Sequence, residues 1–245
     1  MKAAYRGWAD HHALLGRPDP LVTLAFTYIA DQLRWGPLGR YIWHSRRVPG
    51  WIRGSEAIRL AHVAFALPPP AVVVEIGSFL GCSTVLLAGA RKLRGSGKVL
   101  SIDPFDASGD VFSVPIYEAI RGEEPRPLRT RFERNLARAG VSDWVDVQQG
   151  KAEHAAHSWS RLIDLLFLDG NQSHEHVNAV YDVWHPFLKK GGILVVHNSR
   201  IGYRQESHDG SARLVEERIR PAEYVDVEYV DSMTFAKKVS DSKKQ

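Results

Sequence analysis

A single cysteine among 245 residues excludes an internal disulfide framework and points to a reducing compartment. No apolar run approaches the roughly 20 residues that span a bilayer. The first residues, MKAAYRGWADHH, lack the apolar stretch of a secretory leader. The expectation is a cytoplasmic chain with no membrane partner. Strong charge is missing too: the formal charge of +4 is small for this length, and Lys237, Lys238, Lys243 and Lys244 supply part of it. Such an excess gives little reason to expect a nucleic-acid partner and suits an anionic small molecule equally well. What is present, 44% hydrophobic and 24% charged residues, suffices for one large α/β domain with additions.

From about residue 55 onward, helical and strand patterns alternate. Ser55 is a plausible N-cap for a helix carrying Leu60, Ala61, Ala64 and Phe65, which the prolines at 68–70 stop. Strand patterns cover 72–74, 98–102, 144–148, 162–168 and 193–196, the last entered through a turn at Gly191-Gly192. Between them lie helical patterns at 84–93, at Phe132, Leu136 and Ala139 up to Gly140, and at Val177, Val180, Tyr181 and Trp184. After a helix at 214–219, the runs 224–230 and 233–239 flank the short turn Asp231-Ser232, as an antiparallel pair would. This rhythm predicts an open, doubly wound, mostly parallel α/β sheet whose ligand sits beyond the carboxyl ends of the central strands. Glu75, Asp103, Lys151, Asp169 and His197 stand at those ends.

The segment 1–54 reads as a helical extension ahead of a domain at 55–245. It carries Trp8, Trp35, Trp43 and Trp51 and an amphipathic stretch with Leu21, Leu24, Ala25, Tyr28 and Ile29. Such a segment can roof a flat or sugar-bearing substrate, dock on the sheet, or join two copies into a homodimer. Two long stretches, 105–127 and 200–210 with Tyr203, Arg204 and His208, are candidate lids.

The stretch AVVVEIGSFLGCST, 71–84, runs a buried strand into two glycines and small hydroxyl residues. Gly77 tolerates backbone angles that other residues resist, and Gly81 leaves the amides opening a helix bare. A dinucleotide turn would read G-x-G-x-x-G; here the spacing is E-x-G-x-x-x-G with no third glycine, which disfavours a nucleotide-dependent oxidoreductase. S-adenosylmethionine fits better, since Ser78 and Ser83 can serve its amino-acid end and Asp103 can accept from its ribose hydroxyls.

The runs VVEIGSFLGCST, VLSIDPFD, VDVQQGKAEH, DLLFLDGNQSHEHV and FLKKGGILVVHN together resemble the class I S-adenosylmethionine-dependent methyltransferases over roughly residues 50–239. The resemblance is closest to small-molecule O-methyltransferases of the catechol and the macrolide-sugar or aminocoumarin-sugar types. It implies a seven-stranded sheet of order 3-2-1-4-5-7-6 with the last strand antiparallel. It also implies a cofactor site in which Glu75, Gly77, Ser78, Gly81 and Ser83 line the methionine end, Asp103 holds the ribose and Lys151 with Ala152 flanks the adenine. Asp169, after the fourth strand, belongs to the same site.

The expected activity is methyl transfer to a hydroxyl of a small molecule, in specialised metabolism; N-methylation and a non-catalytic S-adenosylmethionine-binding module are the alternatives. A hydroxyl must lose its proton to a base or to a metal. Metal-dependent relatives place carboxylates where this chain has His197, so Asp169, His197 and Asn198 form a candidate site for a divalent transition metal with reduced negative charge. Without metal, His197 is the leading candidate base, against a plain reading as a loop histidine capping the strand end. His174 is the next catalytic candidate; it and His176 face different sides of a helix, so at most one meets the cleft. Cys82 reads as packing.

Overall fold

The computed structural model describes residues 21–200 and 208–240. Trp8, Tyr203 and Arg204, singled out above, lie outside the described residues. Seven strands form one sheet in the order β3-β2-β1-β4-β5-β7-β6. They are β1 (Val73–Ile76), β2 (Val99–Asp103), β3 (Val145–Gln149), β4 (Ile163–Leu168), β5 (Leu188–Val196), β6 (Tyr224–Val230) and β7 (Met233–Lys238). The first five run parallel, while β7 is antiparallel to both β5 and β6. This is the order that the resemblance implies.

Side chains alternate across the sheet and bury two faces. On one face Val73, Leu165, Phe167, Val195 and Phe235 pack under α3 (Gly54–Ala66), α4 (Cys82–Arg94) and α6 (Leu128–Ala139), through residues such as Leu60, Leu86 and Phe132. On the other, Val74, Ile76, Leu166, Leu168 and Leu194 meet α7 (Ala152–Ala156), α8 (His174–Trp184) and α9 (Gly210–Arg218), through Ala155, Val180, Trp184 and Leu214.

Several boundaries differ from the pattern reading. The Ser55 hydroxyl does not cap α3 but bonds Asp231 in the β6–β7 turn; Arg53 holds the N-cap position without a side-chain cap. Gly191-Gly192 does not end a loop but lies inside β5, where the pairing slips from Ile163↔Leu188 to Leu165↔Ile193. The extra β5 residues make a bulge, a usual place for glycine. The segment 105–127 contains a helix of its own, α5 (Val114–Gly122), which buries Ile116 and Ile120.

The N-terminal part supplies α1 (Leu21–Trp35) and α2 (Gly39–Ser45). Tyr41 on α2 presses its ring against Gly89 of α4, so closely that a Cβ there would come within 2.1 Å of the ring. Along α1 the inward side holds Tyr28 against Trp43 and Asp31 bonded to Arg46. Ile29, expected inside, is exposed together with Ala25, Phe26 and Leu33. No described helix is long and apolar enough to cross a membrane.

Candidate active site

The β1–α4 turn is shaped by three residues with positive φ, Gly77 at 87°, Phe79 at 47° and Gly81 at 91°. Each glycine answers a steric demand. A Cβ on Gly77 would lie 2.3 Å from the Asp169 carbonyl oxygen, because the ends of β1 and β4 nearly touch; one on Gly81 would meet the Phe132 ring at 3.1 Å. The turn is then fastened from β2 and α6. Asp103 Oδ2 accepts the amides of Ser78 at 2.9 Å and Phe79 at 2.8 Å, Oδ1 accepts the Phe105 amide at 2.7 Å, and Asn135 Nδ2 donates to the Leu80 carbonyl at 2.9 Å. Burial raises the Asp103 pKa while these amides oppose the rise.

Glu75 is fully buried beneath this turn. Its Oε1 accepts the Ser83 hydroxyl at 2.5 Å; its Oε2 accepts those of Thr84 at 2.5 Å and Ser101 at 3.0 Å. Ser101 is bonded in turn to the Ser78 hydroxyl. Burial raises the Glu75 carboxyl to about 7 even though the hydroxyls of Ser83, Thr84, Ser101 and Ser78 pull it down.

Above the turn opens a cavity of about 280 Å³ lined by Gly77, Ser78, Ser83, Asp103, Lys151, Ala152 and Asp169. The structure thus gathers all the expected cofactor-site residues but two around one cavity. Glu75 and Gly81 do not line it: the first sits behind the turn holding its hydroxyls, and the second faces Phe132. Ala152 is positioned by Trp184 of α8, whose indole donates to its carbonyl at 3.0 Å. Pro49 to Ile52, just ahead of α3, and Tyr117 on α5 complete the wall. Trp51 hinted at that contribution; Tyr117, in a segment read as a loop, gave no signal.

A second cavity of about 430 Å³ shares Trp51, Tyr117, Asp169 and Gly170 with the first. Trp51 and Tyr117 join Phe79 of the first cavity in an aromatic cluster, with ring centroids 5.0–5.7 Å apart. Burial, then the carboxylates of Asp169, Asp103 and Asp110, raise the Tyr117 phenol pKa, so this hydroxyl stays protonated. His197, 3% exposed at the end of β5, places Nδ1 2.7 Å from Asp169 Oδ1. Burial alone would lower the imidazole pKa, but the charge and hydrogen bond of Asp169, followed by the charge of Glu56, raise it above its ordinary 6.5.

On the same cavity, His208 Nδ1 lies 3.1 Å from Asp110 Oδ1 and Nε2 3.3 Å from Asn198 Nδ2. Burial works against the Asp110 carboxylate, yet the His208 hydrogen bond and charge, with the Gln172 amide and Ser113, bring it down to about 2.

His174 is a correction to the sequence reading. It pairs with Glu217 of α9 at 3.1 Å and lines neither cavity, whereas His176 lines the first and faces Glu153 at 3.3 Å. The Asp169, His197 and Asn198 set does not suit a metal. Asp169 and His197 are bonded to each other, Asn198 points its amide nitrogen at His208, and among the described residues no three His, Cys, Asp or Glu side chains are arranged to hold a metal ion.

Residues 74–199, slightly more than half of the chain, match the family described as a methyltransferase domain. The chain belongs to that family. Among solved structures the methyltransferase is similar to cofactor-bound Rv0187 from MTB, at 20% identity over 92% of this chain and 100% of that one, with a TM-score of 0.58. It is similar also to the O-methyltransferase TomG from Streptomyces achromogenes, involved in tomaymycin synthesis and solved with its cofactor, at 18% identity over 84% and 90% of the two chains and a TM-score of 0.56. An rRNA methylase from Streptococcus thermophilus matches at 13% identity over 78% and 100%, with a TM-score of 0.52. The methyltransferase uses S-adenosylmethionine, and the first cavity fits it: the Gly77–Ser78 turn, the Asp103 carboxylate, Lys151 and Ala152 all line it.

Proposed function

We propose that this methyltransferase transfers the methyl group to a hydroxyl of a small molecule in specialised metabolism, with His197 as the proton acceptor. The observation that carries the reading is the His197–Asp169 pair: Asp169 lines both cavities and His197 lines the second. When bound, S-adenosylmethionine supplies an electrophilic methyl group. The protein supplies position and proton transfer. Asp169 accepts the Nδ1–H of His197, which fixes the tautomer and leaves the Nε2 lone pair free to take a hydroxyl proton. The carboxylate then stabilises the imidazolium. Trp51, Phe112 and Ile116 offer apolar walls while Tyr117 offers a neutral donor, an enclosure suited to a small ring-bearing acceptor.

His197→Ala is expected to lower turnover about 10²- to 10⁴-fold while leaving S-adenosylhomocysteine affinity unchanged, and a chelator is expected to leave wild-type turnover intact. A mass-shift screen of hydroxylated compounds supplies the acceptor, and kinetics with calorimetry give both readings. Full activity in the variant, or chelator-sensitive turnover rescued by a stoichiometric metal, would sink the assignment.

A further inference from the structure

Helix α3 enters the second cavity at its first turn and delivers Glu56 there, 6% exposed. The β6–β7 turn holds this side chain: Oε1 accepts the Ser232 amide at 2.8 Å and the Ser232 hydroxyl at 2.6 Å. The other oxygen, Oε2, lies 3.9 Å from His197 Nε2. That separation is too long for a hydrogen bond and well within Coulombic reach. A glutamine would tie α3 to the hairpin equally well through the same oxygen. Burying a full charge instead is unfavourable unless an opposite charge forms beside it, and the group facing Oε2 is the imidazole that receives a proton. Glu56 also lies outside residues 74–199, in the part of the chain that the family match does not reach.

We infer that Glu56 is a positioning residue for proton transfer: with Asp169 it brackets His197 from both ring nitrogens and stabilises the imidazolium formed when Nε2 takes the acceptor proton. This rests on the reading of His197 given above. The transfer forms an O–C bond, breaks the S–C bond with its electron pair left on sulfur, and moves the hydroxyl proton to Nε2. The new N–H then faces Oε2, so the charge pair is completed as the reaction proceeds.

Other ionisable groups around this cavity are Arg53 ahead of α3, Tyr117 on α5, Asp231 in the hairpin turn and His208. Arg53 is engaged with Cys82 Sγ and the carbonyls of Val48 and Ile52, Asp231 with the Ser55 hydroxyl, His208 with Asp110, and the uncharged Tyr117 phenol with Ser113. Each is committed elsewhere, which leaves Asp169 and Glu56 as the charges set directly against the two nitrogens.

The test is the titration of His197, followed by NMR in Glu56→Gln. Its midpoint is expected to fall by about one pH unit, at the low end of what an opposite charge at 4–6 Å does. The acid limb of kcat/KM is expected to move down with it, while S-adenosylhomocysteine affinity holds because Glu56 does not line the first cavity. Ser232→Ala removes a hydrogen bond but no charge, so it should leave the midpoint in place. Glu56→Asp, a smaller change, should give a smaller fall and serves if the glutamine variant does not fold. Identical His197 titrations in wild type and both Glu56 variants would overturn the inference. A shifted titration in a protein that methylates no hydroxyl would instead remove the functional reading and leave the carboxylate–imidazole–carboxylate array standing.

Discussion

Glu75 occupies a strand position whose flanking residues Val74 and Ile76 are buried and apolar, yet it is satisfied by three hydroxyls rather than by a cation. Its carboxyl is raised from 4.5 to about 7, so the folded state holds this proton more tightly than the unfolded chain does. The resulting contribution is fully present below pH 4.5 and is lost as the pH rises through about 7. Glu75→Gln keeps the shape and removes the titration, since the Ser83 hydroxyl can turn to accept from the amide. Its stability should therefore be flatter than that of wild type across that window, the two curves separating by an amount on the order of 3 kcal/mol. Denaturant melts at several pH values check this; parallel curves would show that the carboxyl is not raised. The strand-end position made Glu75 legible as important, but its role was not. That it faces hydroxyls from α4 and β2 instead of the cavity depends on which side of the pleat it occupies, and its apolar neighbours are buried on both sides.

Among the elements, apolar periodicity located the strands and most of the longer helices, because most are buried on one whole face or on two; the short α2 and α7 gave no such signal. It failed where composition hides the pattern. α5 lies among glycine, proline and glutamate, with Ile116 and Ile120 as its buried contacts, and so reads as a loop until Tyr117 is seen on the cavity wall. The outward turn of Ile29 on α1 shows the converse: an apolar stripe was legible, but which side of the helix meets the body depends on Tyr28 and Asp31 finding Trp43 and Arg46. The docking of α2 on α4 can be tested at one atom. Gly89→Ala drives a methyl group into the Tyr41 ring, and overpacking of this kind destabilises by roughly 1–3 kcal/mol. Tyr41→Ala in the same chain should recover part of that loss by making room, although the ring's own burial is then forfeited. Thermal melts of the two single variants and the double decide it; additive losses would mean that the two residues do not share this contact.

Over the whole molecule, the sheet order was legible through the family resemblance, and most residues lining the first cavity through the motifs that follow successive strands. The second cavity was legible only where it borrows those same strand ends, at Asp169 and His197. Its remaining parts come from far apart in the chain, and no local pattern announces that Glu56 and Ser232, separated by 176 positions, touch. The Glu56–Ser232 contact therefore bears on the order in which the protein acquires its shape. Closing so long a loop is entropically slow, and nothing rewards it until β7 has paired with β5. During refolding, the amides of β1 and β4 should become protected from hydrogen exchange before the Ser232 amide does, as pulse labelling would show; simultaneous protection would contradict this. A ribosome-bound chain would meet the same constraint, since Ser232 is among the last residues of the sheet to emerge. It would possess the cavity that fits the cofactor before the second cavity beside it was complete.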